Sequence, residues 1–141
     1  MDKFLTFTIG GLATAAIYAI SASGLVVTYT TSGIFNFAHG AFSMLAAFMY
    51  WQVHVAWGVP VLPAVILVVF VFGPLFGAVV ERGIMRGIEG TSDVVKIVVT
   101  ISLMVALIGI ANVIWNPNVG RPVQPFFSGV VEVLGVPVSY H

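Results

Sequence analysis

The chain has 141 residues, of which 60% are hydrophobic and 7% are charged, and its five acidic and five basic residues leave no net charge. Soluble domains carry about 25% charged residues, so a chain this apolar cannot cover itself with polar surface and is expected to lie in a lipid bilayer. The absence of cysteine excludes disulfides and thiol chemistry, and the neutral charge gives no indication of nucleic-acid binding. At about 20 residues per span, this length predicts an all-α, polytopic transmembrane bundle of about four helices.

The first predicted span covers residues 4–28, within a tract that has no charged residue from Phe4 to Val80. A signal peptide is the alternative, because Ser21-Ala22-Ser23 resembles a small-residue cleavage site, although the apolar run exceeds the roughly 7–15 residues expected of one. Small residues recur at every fourth position of this span and predict a face for close helix packing, namely Gly11, Ala15, Ala19 and Ser23. The alternative is that Gly and Ala are simply common in membrane helices.

The second predicted span, residues 34–55, begins with the most polar side chains of the apolar tract. Asn36 and His39 are three residues apart, so on a helix they would share a face, and Gly33 and Gly40 bracket them. Polar side chains at membrane depth tend to face a bundle interior or a water-filled cavity. These four residues are therefore candidates for a translocation pathway or for helix packing. Alternatively, Asn36 caps a helix at the membrane surface and His39 is an interfacial residue.

The third predicted span covers residues 61–80. Gly73-Pro74 predicts a kink there, since proline removes one helical hydrogen bond and clashes with the preceding turn. Gly73 and Gly77 are spaced for a second small-residue packing contact.

Residues 81–96 hold six of the ten charged side chains and are predicted to form a loop. Arg82, Arg86 and Lys96 make it the most basic segment, so the positive-inside rule predicts that it is cytoplasmic. Glu81, Arg82 and Arg86 are its candidate functional residues, and the alternative is a solvated loop that only sets topology. Counting back through three spans places the N-terminus outside, although Lys3 favours the opposite orientation.

The fourth predicted span covers residues 97–115, and residues 116–141 are predicted to be an extracytoplasmic segment rich in proline and glycine. A short hairpin is expected near residues 130–138.

The sequence contains no pattern typical of an enzyme. It has no GxxxxGK[ST] phosphate loop, so the chain is not expected to hydrolyse ATP itself, and it has no HExxH motif. The histidines at 39, 54 and 141 lie too far apart to suggest a metal site. We therefore predict neither a metal nor a cofactor.

Several motifs carry a resemblance to a known family. Asn36-Phe-Ala-His-Gly40, preceded by Gly24-Leu-Val-Val-Thr-Tyr29, resembles the signature of inner-membrane permeases of ABC transporters for branched-chain amino acids. Urea and amide permeases of the same superfamily share this signature. Glu81-Arg82 followed by a second arginine resembles the family's segment after its third span, and Thr100-Ile-Ser resembles a Thr-Ile-Gly run in which serine replaces glycine. Ala41 stands where the family commonly has an acidic residue.

The resemblance implies a multi-pass subunit of the inner membrane that forms part of an amino-acid translocation pathway. Its expected partners are a second permease subunit, ABC ATPase subunits that hydrolyse ATP, and an extracytoplasmic substrate-binding protein. The chain has about half the family's usual length, so it is expected to represent the N-terminal half of such a permease. The rival hypothesis is a self-contained four-helix channel or accessory membrane protein, which fits the composition equally well.

Overall fold

The computed structural model describes residues 2–123, 129–133 and 136–139. Over these residues the chain forms long helices followed by one small antiparallel hairpin. The helices are α1 (Asp2–Ser32), α2 (His39–Trp51), α3 (Val61–Ile66), α4 (Gly73–Val80) and α5 (Asp93–Ile114). The hairpin consists of β1 (Val130–Val133) and β2 (Val136–Ser139).

Turns of other helix types extend or join the α-helices. A π-helical turn, Gln52–Ala56, continues α2. Helices α3 and α4 belong to one helical segment, Val61–Ile88, which also contains two π-helical turns and a final 3-10 turn: Leu67–Phe72, Glu81–Met85 and Arg86–Ile88.

Three of the described helices are long and apolar enough to cross a membrane: Phe7–Ser32, Val61–Ile88 and Asp93–Ile114. The prediction of an all-α membrane bundle is therefore confirmed. The helix that starts at His39 is not among the three, because His39, Gln52 and His54 lower its average hydropathy. A crossing by this helix, and hence the count of four spans, stays a prediction.

The segment predicted to kink at Gly73-Pro74 contains a π-helical turn directly before this pair. The N–H of Gly73 donates to the carbonyl of Val68, five residues earlier. Pro74 has no N–H to donate and lies in the first turn of α4, where a missing donor costs least. The wider π-helical turn thus lets the helix continue through the proline.

The charged segment is largely helical, which corrects the prediction of a loop over residues 81–96. Helical structure continues to Ile88, Gly90 adopts the left-handed φ of 76° in a short turn, and α5 begins at Asp93. Side-chain pairs within the helical turns accommodate the charges: Arg86 Nε lies 2.8 Å from Glu81 Oε1. Lys96 Nζ lies 3.2 Å from Asp93 Oδ1, one turn along α5.

The core forms where α2 packs on α5 and on the end of α4. Its buried side chains are small or aliphatic on all three helices, and the indole of Trp115 closes one end of the core. They belong to Ala38, Ala41, Leu45, Val80, Leu103, Leu107, Ala111 and Trp115. Phe42 and Phe76 join α2 to α4 edge to face, with ring centroids 5.7 Å apart. Phe48, near the end of α2, stacks on Trp115, just after α5, with ring centroids 5.1 Å apart. The ends of α2 and α5 therefore lie together, so these two helices run in the same direction, and α4 runs against them.

Helix α1 stands largely apart from this core. Its predicted packing stripe is exposed at each of its four positions, Gly11, Ala15, Ala19 and Ser23, and Gly73 and Gly77 are exposed as well. Within the described part of the chain, no Cβ added at Gly11 or Gly77 would meet another atom within 4 Å. Packing of these small residues against another helix stays a prediction for an assembled protein.

The predicted hairpin is confirmed. Strands β1 and β2 pair antiparallel, with Val130 opposite Ser139 and Val133 opposite Val136, and β2 contacts α1. The linking residues 134–135 and His141 lie outside the described residues.

Candidate functional site

A tight connection between α1 and α2 forms the centre of the candidate site. Gly33 takes the left-handed φ of 67° just after α1, a conformation that glycine adopts without steric cost. Its N–H donates to the carbonyl of Tyr29 at 2.8 Å and so closes the last turn. The N–H of Ile34 then donates to Ser32 Oγ at 3.2 Å. The local role of Gly33 is thus to end α1.

Asn36 holds the turn that precedes α2. Its Oδ1 accepts the N–H of Ala38 at 3.0 Å, and its backbone carbonyl accepts the N–H of His39 at 3.1 Å. The expectation that Asn36 and His39 share a helix face is therefore wrong, because Asn36 lies before the helix and its carboxamide competes for backbone donors as Asn side chains do at helix starts. The alternative, that Asn36 caps the helix, is also wrong: the N-cap of α2 is Ala38, which has no side-chain cap hydrogen bond, and Asn36 Oδ1 closes the turn before it.

The nitrogen of the same carboxamide has no such role. Asn36 is only 8% exposed, and among the described residues its Nδ2 makes no hydrogen bond with a protein atom. Since Oδ1 is bound to the turn, the amide NH₂ points away from it. This nitrogen is not fully buried, so it is accessible to a partner outside the turn.

His39 begins α2 and lies against α1. Its ring is partly buried, and a Cβ built at Gly24 would lie 3.1 Å from its Cε1 and 3.2 Å from its Nε2. Within the described chain the imidazole makes no hydrogen bond. Gly40 is exposed, and a Cβ added there would meet open space, so no local contact explains it.

A large cavity lies between the end of α1, the start of α2 and the helix Val61–Ile88. It has a volume of about 730 Å³. Its polar lining groups come from three parts of the chain and sit among aromatic and aliphatic side chains: Thr28, Thr31, Ser32, Asn36, Ser43, Glu81 and Glu89. Of this wall, the sequence alone indicated Asn36, Glu81 and the glycines Gly73 and Gly77. The helical spacing of Thr28, Thr31 and Ser32 at the end of α1 is a signal that could have indicated the hydroxyl groups on that helix.

A second cavity, of about 420 Å³, lies on the other side of the connection. Four residues of α1 and the 35–40 segment line it: Tyr18, Ser21, Ala22, Leu25, Phe35, Asn36, Phe37, His39 and Gly40. Asn36 lines both cavities. It therefore stands in the wall between them, together with the turn that its oxygen holds.

The charged residues near the large cavity are partly neutralised. Arg86 Nε donates to Glu81 Oε1 at 2.8 Å, so the carboxylate that lines the cavity already has a cation. Both side chains are about half exposed or more, and pairs in such positions contribute little stability. Arg82 is exposed and makes no ion pair within the described chain. The three predicted residues thus lie close together, but only Glu81 reaches the cavity.

The opposite end of the bundle carries an aromatic cluster that the sequence analysis did not identify. Trp115 Nε1 donates to Gln52 Oε1 at 3.1 Å. Beyond α5 the chain turns back, so that the Arg121 guanidinium lies 5.3 Å from the Trp51 ring centroid and 5.8 Å from that of Phe48. Arg121 Nη1 also donates to the carbonyls of Asn116 and Val119. Only folding brings these residues together, and no sequence spacing indicates it.

Among the described residues, no group of three or more His, Cys, Asp or Glu side chains could hold a metal ion. What the site offers instead is an apolar cavity with a few hydroxyls, one amide and two carboxylates. Such a set can bind and pass a small polar molecule, and it holds no nucleophile and base in contact.

Comparison with known proteins identifies the kind of molecule. The family model of the branched-chain amino acid transport system permease component matches residues 7–140. No curated protein and no solved structure matches the chain. Because the family match covers nearly the whole sequence, and the three apolar helices agree with a transport subunit of a membrane, the chain belongs to the family of branched-chain amino acid transport permeases.

Proposed function

We propose that this chain is a permease subunit of an ATP-driven importer of branched-chain amino acids and forms part of the translocation pathway. The observation that carries the proposal is Asn36, a buried amide between two cavities whose NH₂ has no partner within the described chain. An apolar cavity with a few placed polar groups is typical of a binding site for a small molecule. Gly33 and Gly40 flank this amide, and His39 lies beside it.

The proposed orientation places the large cavity toward the cytoplasm and residues 116–141 outside. Arg82, Arg86 and Lys96 lie at the same end as the cavity, and positive residues favour the cytoplasmic side. The second crossing would use α2 and its π-helical turn. Their 13 and 5 residues, at about 1.5 Å each, extend about 27 Å, close to the roughly 30 Å of a hydrocarbon core.

The proposed partners follow from the family and from what this chain lacks. ATP hydrolysis would occur on separate ABC ATPase subunits, since this sequence contains no phosphate loop. A second permease subunit would complete the pathway, and an extracytoplasmic binding protein would deliver the substrate. The assembly would lie in the inner membrane, with this chain crossing it several times.

Reconstitution in proteoliposomes tests the proposal. The chain is combined with the cognate second permease subunit, the ATPase subunits and the binding protein, and uptake of labelled leucine is measured with and without ATP. We expect ATP-dependent leucine accumulation, with urea and simple amides as competing substrates for comparison. Leucine or ion flux through the chain alone, independent of ATP, would instead support a self-contained channel.

A further inference from the structure

Helix α1 approaches the rest of the bundle closely at one glycine. The most apolar stretch of this helix has 0% of its residues buried, whereas Gly24, Leu25 and Thr28 in its second half are partly buried. At Gly24 the side chain of His39 comes so near that an added Cβ would lie 3.1 Å from Cε1 and 3.2 Å from Nε2. Ordinary contacts between carbon atoms are about 3.5–4.0 Å, so even one methyl group would force the helix or the ring to move.

We propose that Gly24 is a positioning residue: its lack of a side chain leaves room for the His39 ring, and this contact sets the distance between α1 and α2. The N–H of His39 is bound to the carbonyl of Asn36 where α2 begins, which fixes the backbone of His39. A methyl group at Gly24 would therefore displace either the ring or α1. In the sequence, Gly24 stood out only as the first residue of a motif. Its contact with His39, fifteen positions later, assigns it a steric role.

The contact also sets one wall of the large cavity. Thr28 lies one turn beyond Gly24, and its Oγ1 donates to the carbonyl of Gly24 at 2.9 Å. Thr28, Thr31 and Ser32 form the α1 wall of the cavity. If α1 moves away from α2 at Gly24, this wall moves with it, and the cavity side of α2 becomes more accessible.

A single thiol on α2 measures this movement. The chain has no cysteine, and Ala46 lines the large cavity from α2 and has no side-chain hydrogen bond to lose. The rate at which a small maleimide alkylates Ala46→Cys is followed in membranes that contain the assembled transporter. The measurement requires no transport, so its outcome is independent of the importer proposal.

Four backgrounds of Ala46→Cys are compared: Gly24→Ala, Gly10→Ala, His39→Ala, and Gly24→Ala with His39→Ala. We expect Gly24→Ala to raise the alkylation rate severalfold. Gly10→Ala is the matched control on the same helix, since Gly10 lies outside the small-residue stripe and a Cβ there meets no atom within 4 Å, and it should leave the rate unchanged. Removing the ring makes room for the methyl group, so the double variant should react at the rate of His39→Ala alone.

Two results would overturn the proposal. One is an equal rate in the Gly24→Ala and Gly10→Ala variants. The other is an increase caused by Gly24→Ala that persists undiminished without the His39 ring. If Gly24→Ala fails to accumulate in the membrane, the double variant must still accumulate as His39→Ala does, and its failure would also contradict the steric role.

Discussion

At the scale of single residues, Asn36 divides its carboxamide between two tasks. The oxygen holds the N–H of Ala38 at 3.0 Å, and the nitrogen is left for a partner beyond the turn. An acceptor that closes the turn and a donor left unbound therefore coexist in one side chain. Asparagine offers both groups, whereas a serine or aspartate at this position would have no NH₂ to donate.

Two substitutions of Asn36 separate the tasks. Asn36→Ser keeps an oxygen that can accept the backbone N–H but removes the NH₂, whereas Asn36→Leu removes both and loses a turn hydrogen bond worth about 0.5–1.5 kcal/mol. We expect both variants to lose leucine uptake per inserted molecule, and only Asn36→Leu to insert at a reduced level. Uptake and membrane content are measured on the same vesicles. Full transport by Asn36→Ser would leave Asn36 with only its role in the turn.

His39→Leu extends this test to the neighbouring ring. Polar contacts between membrane helices contribute about 0.6–2 kcal/mol, so loss of the imidazole should reduce uptake more than it reduces the amount of inserted protein. Normal uptake in both His39→Leu and Asn36→Leu would exclude the motif from the pathway.

Arg121 is predicted to stabilise the fold through its contacts with aromatic rings. Its guanidinium lies over Trp51 and Phe48, and a cation over aromatic rings contributes about 0.5–2 kcal/mol. We expect Arg121→Ala to lower the free energy of unfolding by about 1–2 kcal/mol, and Arg121→Lys to lower it less because the positive charge remains. Tryptophan fluorescence during denaturation in mixed detergent micelles measures it. Arg82→Ala, at an exposed arginine, is the control, and equal losses at both positions would refute the role of the ring contacts.

At the scale of elements, the topology prediction concerns the charged segment, which is helical up to Ile88. Glu89 lies in the short turn between Ile88 and α5, and Ser128 belongs to the segment after α5 but lies outside the described residues. In intact cells we expect an impermeant thiol reagent to label Ser128→Cys and to spare Glu89→Cys until the cells are opened. Because the native chain has no cysteine, each label reports one site. The reverse pattern would invert the proposed orientation.

At the scale of the whole molecule, the described helices satisfy their own backbone hydrogen bonds but leave large apolar faces uncovered. Insertion in a membrane needs no partner under these conditions, whereas a defined pathway needs α1 to be held on more than one side. The exposed Gly11–Ser23 stripe and the exposed Gly73 and Gly77 provide surfaces on which a second helix could pack closely.

We therefore expect the chain to insert without a second permease subunit but not to accumulate leucine. Proteoliposomes that contain the ATPases and the binding protein, with and without the second permease subunit, make the comparison, and protection of the chain from protease confirms insertion in both. ATP-dependent accumulation without the second permease subunit would show that this chain suffices for the pathway.

The sequence by itself determined the membrane character, three of the helices, the hairpin and the family. These features depend on local composition and on contiguous motifs, which carry the same meaning whatever the packing. Long uncharged tracts form helices in a bilayer because no other single-segment structure satisfies the backbone.

The tertiary structure alone decided how the candidate residues meet. Asn36 lies in the turn before α2, where its side chain accepts the N–H of Ala38, and the charged segment is helical up to Ile88. Two contacts join residues far apart in the chain: the His39 ring lies against Gly24, and the Arg121 guanidinium lies over Trp51. Such contacts arise from the direction in which whole helices pack, and a pattern of neighbouring residues carries no information about that direction.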